Sequence, residues 1–309
     1  MTLPKSIELI PTYEANSSWW QHVPIGHWLI EILKPETVVE LGSHYGVSFF
    51  CFCEAAELYS PNTFIYAIDT WEGDSQAGYY DNEVYDKVSK HQSRFYRNRS
   101  ALIREKSDDA ANHYSDHSID ILHIDGLHTY NAVKNDYQTW FPKLKKGGSI
   151  LFHDWNERHD DFGVWKLWEE IKQDPKFKCL ETPNGHGLGI ATYTDTMPSW
   201  HKDLKTILPA LVSKGILLEI QTEQQKEIQR RREVLKINEQ HNSNLESIIN
   251  EQEKHIKGLE EARNTLRGEL AEIAEEKERL NIIANKTIIQ HNKEAFMRMM
   301  RNIKKAIYM

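Results

Sequence analysis

The chain has 309 residues, 39% of them hydrophobic, enough for one large domain or two around a real core. Its net charge of -8 excludes a general nucleic-acid binder. Its 3 cysteines (Cys51, Cys53 and Cys179) exclude a disulfide framework and point to a reducing compartment, while no stretch reaches the ~20 apolar residues of a membrane span. No basic-then-apolar leader opens the sequence, so a cytoplasmic location is expected. The mean hydropathy of -0.64 is low for a wholly globular chain, which predicts a polar, extended part.

In chain order, Pro24 to Leu33 reads as a helix, then Thr37 to Glu40 as a strand and Val47 to Tyr59 as an apolar helix. Phe64 to Asp69 is the second strand, and Ala101 to Glu105 a weaker one. Ile119 to Asp125 is a strand, Tyr130 to Leu144 a helix closed by Lys145-Lys146-Gly147-Gly148, and Ser149 to Asp154 a further strand. A helix over Gly163 to Gln173 precedes a terminal strand pair, Phe177 to Leu180 and Gly187 to Tyr193, around Pro183-Asn184-Gly185. The alternation predicts an α/β fold, a doubly wound Rossmann-like sheet ending in an antiparallel hairpin. Runs apolar throughout are strands buried on both faces, as in parallel sheets. Four of them end on a carboxylate, Glu40, Asp69, Asp125 and Asp154, at the sheet edge where such folds bind ligands.

This catalytic region is expected over residues 1–200, followed by a linker over 201–215. Residues 216–292 contain no proline and fit a heptad, best from Leu245 to Ala284. Such spacing predicts a coiled-coil stalk joining two or three copies, and ~70 helical residues would make a rod of roughly 105 Å. Asn238 and Asn242 are seam polar residues of the kind that set register. Residues 293–309 mix Phe296, Met297, Met299, Met300 and Ile303 with Arg298, Arg301, Lys304 and Lys305. That basic amphipathic tail suits an anionic membrane surface or a partner protein.

The site signals begin at Glu40-Leu41-Gly42-Ser43-His44-Tyr45-Gly46, a strand-to-helix turn where glycines let backbone approach a ligand. It lacks the Gly-x-Gly-x-x-Gly of dinucleotide binding, which argues against NAD. Asp69, about 30 residues on, suits a ribose diol, and Trp71 in Asp69-Thr70-Trp71-Glu72-Gly73-Asp74 suits stacking on a base. Together with His123-Ile124-Asp125-Gly126-Leu127-His128-Thr129-Tyr130, Asp136, Gly147-Gly148 and Phe152-His153-Asp154, these residues resemble a class I S-adenosylmethionine-dependent methyltransferase. The resemblance covers roughly residues 20–195 and is nearest to macrolide sugar O-methyltransferases and cephalosporin-hydroxylase-like proteins. The glycine spacing is also similar to catechol O-methyltransferase-like enzymes. One departure is His44, where a glycine is common.

The resemblance implies that Glu40, Gly42, Ser43 and Gly46 cradle the methionine end of the cofactor. Asp69, with Thr70 and Trp71, would serve the ribose and base, Ser107 and Asp108 the adenine, and Asp125 both cofactor and acceptor. In metal-dependent relatives a divalent ion sits between an acid ending strand four and a polar pair ending strand five. Those positions match Asp125 and His153-Asp154, with magnesium or manganese as the ion. An acceptor hydroxyl needs a base or a metal, and His128 and His153 are the rival bases. Asp160-Asp161 and His186 are candidate acceptor contacts, and Ser17 to His22 and Gly78-Tyr79-Tyr80 candidate lid segments.

The sequence therefore predicts an O-methyltransferase acting on a sugar hydroxyl, such as the growing end of a bacterial surface polysaccharide (O-antigen) whose chain it would terminate. A glycosyltransferase or the inner face of the membrane would be the partner of the tail. Two other readings are a metal-dependent hydroxylase-like or hydrolytic enzyme on the same fold, and a coiled-coil scaffold with a degenerate head.

Overall fold

The computed structural model describes residues 4–307, with side chains to residue 304. It divides into two units, Met1–Glu227 and Ile228–Met309. In the first, helix α1 (Val23–Leu33) leads into β1 (Thr37–Leu41), α2 (Val47–Tyr59) and β2 (Phe64–Ile68). A short hairpin, β3 (Gly73–Asp74) and β4 (Gly78–Tyr79), precedes α3 (Asn82–Phe95), β5 (Ser100–Ile103) and α4 (Ser107–Ala110). Then come β6 (Ile119–Ile124), α5 (Tyr130–Trp140), β7 (Leu144–His153), α6 (Val164–Gln173), β8 (Phe177–Thr182) and β9 (Leu188–Tyr193).

The main sheet has 7 strands in the order β5-β2-β1-β6-β7-β9-β8. The first five run parallel, and β9 is antiparallel to both β7 and β8. This is the expected doubly wound Rossmann-like sheet with a terminal hairpin. Alternate residues of each strand feed separate cores. Val38, Ile65, Ile121 and Leu151 pack with α1 and α2, and Val39, Ile68, Leu122 and Ile150 pack with α5 and α6. Strand order reverses between β1 and β6, the place where such sheets open a crevice.

Two expectations are corrected. Lys145-Lys146-Gly147-Gly148 does not close a helix: α5 ends at Trp140, and the segment is extended within β7. Lys145 lies on the sheet edge, 2.9 Å from both Glu36 and Asp120. Residues 201–215 are not a linker. They belong to α7 (Ser199–Ile307), whose Leu204, Ile207 and Leu211 are buried in the first core. Pro209 and Gly215 read as breakers, but Pro209 is accommodated inside the helix. Gly215 is there because a β-carbon would lie 2.1 Å from the Gln21 carbonyl oxygen.

The second unit is the continuation of α7, and its described side chains are exposed, including the whole predicted seam from Leu245 to Leu280. Of the tail, the side chains of residues 305–309 lie outside the described residues. Among the described residues no helix is long and apolar enough to cross a membrane.

Candidate active site

Strand register decides which acids meet. Leu41 pairs with Ile68 and Ile124, and Ile124 with Phe152. One step further, Gly42, Asp69 and Asp125 lie just beyond their strands in a row with His153, the last residue of β7, and Asp154 comes next. Glu40 is two rows lower, inside β1 and opposite Ala67 and His123. It is therefore fully buried and absent from the cavity wall. Its carboxylate accepts bonds from Ser43 Oγ at 2.7 Å, from Ser48 Oγ and from His123 Nδ1 at 3.0 Å. Trp19 Nε1, which can only donate, bonds His123 Nε2 at 3.2 Å, so the His123 proton must sit on Nδ1 and face Glu40. Glu40 supports the glycine loop from beneath rather than touching a ligand.

The loop itself turns on Gly42 (φ 82°), where a β-carbon would lie 2.2 Å from the Asp125 carbonyl oxygen. Asp69 Oδ2 accepts the backbone N–H of Ser43 at 2.9 Å and of His44 at 2.8 Å, and its Oδ1 accepts that of Trp71 at 2.7 Å. Asp69 thus ties two strand-end loops together on the wall of a cavity of about 550 Å³. Gly42, Ser43, Gly46, Thr70, Ser107, Asp108, Asp125, His128 and Asp154 share that wall. Trp71 does not. It is fully buried, donates from Nε1 to the His44 carbonyl at 2.9 Å and packs edge-on against Tyr85. Its left-handed backbone (φ 51°) turns the indole inward, so it braces the loop and cannot stack on a base. At the far end Ser107 Oγ donates to Asp136 at 2.6 Å and Asn135 donates to Asp108 at 2.7 Å. Burial raises the Asp136 carboxyl to a pKa of about 6.

At the opposite end Asp125, His128 and Asp154 offer ligand atoms that all lie within 4.8 Å of one another. His128 Nε2 is 2.9 Å from Asp154 Oδ2 and 3.5 Å from Asp125 Oδ1, yet makes no hydrogen bond of acceptable geometry. Its Nδ1 and backbone N–H both face Gln76 Oε1, at 3.1 and 2.9 Å, and its ring stacks on Phe162 at 5.0 Å. Burial works against charge on this ring, but the two carboxylates outweigh it and raise the His128 pKa to about 9. Near neutrality it already holds a proton, which argues against a base acting alone. Asp154 has φ 59°, an unusual backbone for a residue with a side chain.

His153 is not on the cavity wall, and the expected choice between ligand and base falls away. It is buried, with Nδ1 3.0 Å from Asp125 and 3.2 Å from Asp154, and Nε2 3.2 Å from the Gly185 carbonyl. Both nitrogens face acceptors, so both carry protons. Burial opposes that charge, but Asp125 and Asp154 outweigh it and hold the His153 pKa well above the usual histidine range. His153 is a fixed cation that orients the two carboxylates. In turn the histidines hold both carboxyls below the ordinary range despite burial. His22 donates to the same Gly185 carbonyl at 2.8 Å and stays neutral, its pKa lowered to about 3 by burial and by His153.

Residues 39–155, which span the loop and both carboxylates, match a family model described as a methyltransferase domain. A curated relative, the uncharacterized protein y4gI of Sinorhizobium fredii, is 42% identical over 178 residues, 58% of this chain. The chain spans 19% of that relative's length. Among solved structures, a methyltransferase from Geobacter sulfurreducens is 18% identical, covering 59% of this chain and 82% of its own, with a TM-score of 0.46. SAH-bound PaMTH1 of Podospora anserina is 13% identical, covering 56% and 78%, with a TM-score of 0.45. The O-methyltransferase TomG of Streptomyces achromogenes, solved with SAM, is 10% identical, covering 62% and 91%, with a TM-score of 0.45.

His186 is bonded to Glu157 at 2.6 Å, and Asp161 accepts from Gln76 Nε2 at 2.6 Å. In the stretch expected as a lid, Trp19, Trp20 and His22 are core residues, while Ser17 and Ser18 line the cavity. Tyr79 is exposed on β4, and Tyr80 stacks on His44 at 5.1 Å. Sequence reading missed Gln76, whose only signal was its place in a polar turn between two glycines.

Proposed function

We propose that this chain transfers a methyl group from S-adenosylmethionine to a sugar hydroxyl at the growing end of a surface polysaccharide. The observation that carries the reading is a single cavity running from the Gly42–Gly46 loop to Asp125, His128 and Asp154, so that donor and acceptor chemistry share one space. Asp69 and the glycine loop it holds line the end of that space that suits the donor. Methyl transfer is an in-line displacement, so holding the two partners in line supplies much of the rate.

The Asp125, His128 and Asp154 set also fits a divalent ion, because their ligand atoms all lie within 4.8 Å of one another and the His128 Nε2 makes no hydrogen bond. Such an ion would lower the pKa of an acceptor hydroxyl. In this reading His153 keeps the carboxylates aimed, and Phe162 and Gln76 keep His128 in place. The apolar seam of the second unit joins two or three copies, and the basic tail rests on an anionic membrane face in the cytoplasm.

Isothermal titration with S-adenosylmethionine and S-adenosylhomocysteine, followed by transfer of a labelled methyl group to a panel of cell-surface glycans with and without EDTA, tests this. Binding of both ligands and EDTA-sensitive labelling of a glycan are expected. Failure to bind either ligand sinks the methyltransferase reading and favours a hydroxylase-like or hydrolytic enzyme.

A further inference from the structure

We propose that Gln76 is a positioning residue that makes His128 a third protein ligand, beside Asp125 and Asp154, for a first-row transition ion such as Mn²⁺. This rests on reading that constellation as an ion site, and it adds a nitrogen donor and the residue that aims it.

The argument starts from one amide. The His128 backbone N–H can only donate, so the Gln76 atom 2.9 Å from it is oxygen. That oxygen can only accept, so His128 Nδ1, 3.1 Å away, carries the proton. A neutral His128 ring therefore presents a bare Nε2 to Asp125 and Asp154. The Nε2 position, 2.9 Å from Asp154 Oδ2 but out of line for a hydrogen bond, is that of a donor converging on a shared centre. A ligand histidine ordinarily gives its other N–H to a carbonyl or carboxylate, which fixes tautomer and ring angle. Gln76 does this here.

Gln76 is itself fixed. Its Nε2 donates to Asp161 at 2.6 Å, and Asp74 Oδ1 accepts its backbone N–H at 2.7 Å. Phe162 holds the ring face, the two planes within 8° of parallel. The β3–β4 hairpin therefore reaches the site through one side chain. One imidazole with two carboxylates favours Mn²⁺, Fe²⁺ or Co²⁺ over Mg²⁺, which prefers oxygen alone.

The test uses the full chain and Mn²⁺ itself, followed by paramagnetic resonance and by titration calorimetry against Mg²⁺. The expected result is tighter binding of Mn²⁺ than of Mg²⁺ and a spin-echo modulation from one coordinated imidazole nitrogen, lost in His128→Ala. Gln76→Ala should weaken Mn²⁺ by about 10- to 100-fold. Gln76→Glu combined with Asp161→Asn, which still accepts both N–H groups and keeps a donor-acceptor pair at the other oxygen, should recover most of that loss. S-adenosylhomocysteine binding is measured in parallel on the Gln76 variants, whose position 76 is not on the cavity wall, and should stay as in wild type. Wild-type Mn²⁺ affinity in Gln76→Ala, an unchanged nitrogen signal in His128→Ala, or no Mn²⁺ binding by the wild-type chain would each overturn the proposal. Retained S-adenosylhomocysteine binding in those cases leaves the methyltransferase reading standing.

Discussion

Glu40 and Asp69 hold the glycine loop from opposite sides, one from the core and one from the cavity. Glu40 meets three donors, Ser43 Oγ, Ser48 Oγ and His123 Nδ1–H. Glu40→Leu removes the acceptors and leaves the buried His123 Nδ1–H, which can only donate while Trp19 bonds Nε2, without a partner. An unsatisfied buried polar group costs about 1–3 kcal/mol. Urea unfolding of the variant should show a loss of that size, and unaltered stability would mean the network is not tight. The four strand-end acids were legible in the sequence as a group, and Asp69, Asp125 and Asp154 do reach the cavity. What could not be read was the strand end to within one residue. Asp69 lies one residue past the end of β2, whereas Glu40 lies one residue inside the end of β1, two rows lower. With a two-residue side-chain period that offset keeps the same face of the sheet, so depth along the strand decides between core and cavity. The same uncertainty hid the roles of His153 and His128, since only tertiary partners show which ring has a nitrogen facing the cavity.

Elements were more legible than their joints. The helix over Val47–Tyr59 follows its apolar run to the residue, while α3 lies in a polar stretch with Val84 and Val88 as its buried apolar residues, and the β3–β4 hairpin has only two residues a strand. The first turns of α7 were misread because Pro209 and Gly215 carry breaker signals that tertiary contact overrides. Gly215 offers a test with an inverted sign. In an exposed helix interior, glycine to alanine gains about 1 kcal/mol. Here the new β-carbon would lie 2.1 Å from the Gln21 carbonyl oxygen, so α7 must shift off the short turn that carries Trp19 and Trp20. Overpacking of this kind costs about 1–3 kcal/mol. Gly215→Ala should therefore lower the thermal midpoint, and a raised one would mean that this contact is looser than drawn.

At the scale of the whole molecule, the second unit raises a question of self-support. A lone helix in water is held by Glu-to-Lys or Glu-to-Arg pairs four apart, worth a few tenths of a kcal/mol each. Between residues 228 and 292 that order and spacing occurs at Glu253–Lys257 and Glu275–Arg279, too seldom to stabilise so long a helix. Leu245, Ile249, Ile256, Leu259, Leu266, Leu270, Ile273 and Leu280 stand exposed at heptad spacing instead. Each contributes about 1.5–3 kcal/mol when buried against another copy. Sedimentation equilibrium of the full chain should then give two or three times 36.2 kDa. Leu259→Lys with Leu266→Lys places like charges across the seam in every copy and should return the mass to that of one chain. S-adenosylhomocysteine binding should be unchanged in that variant, because neither residue belongs to the first unit. A wild-type chain that sediments as a single copy at micromolar concentration would refute the seam.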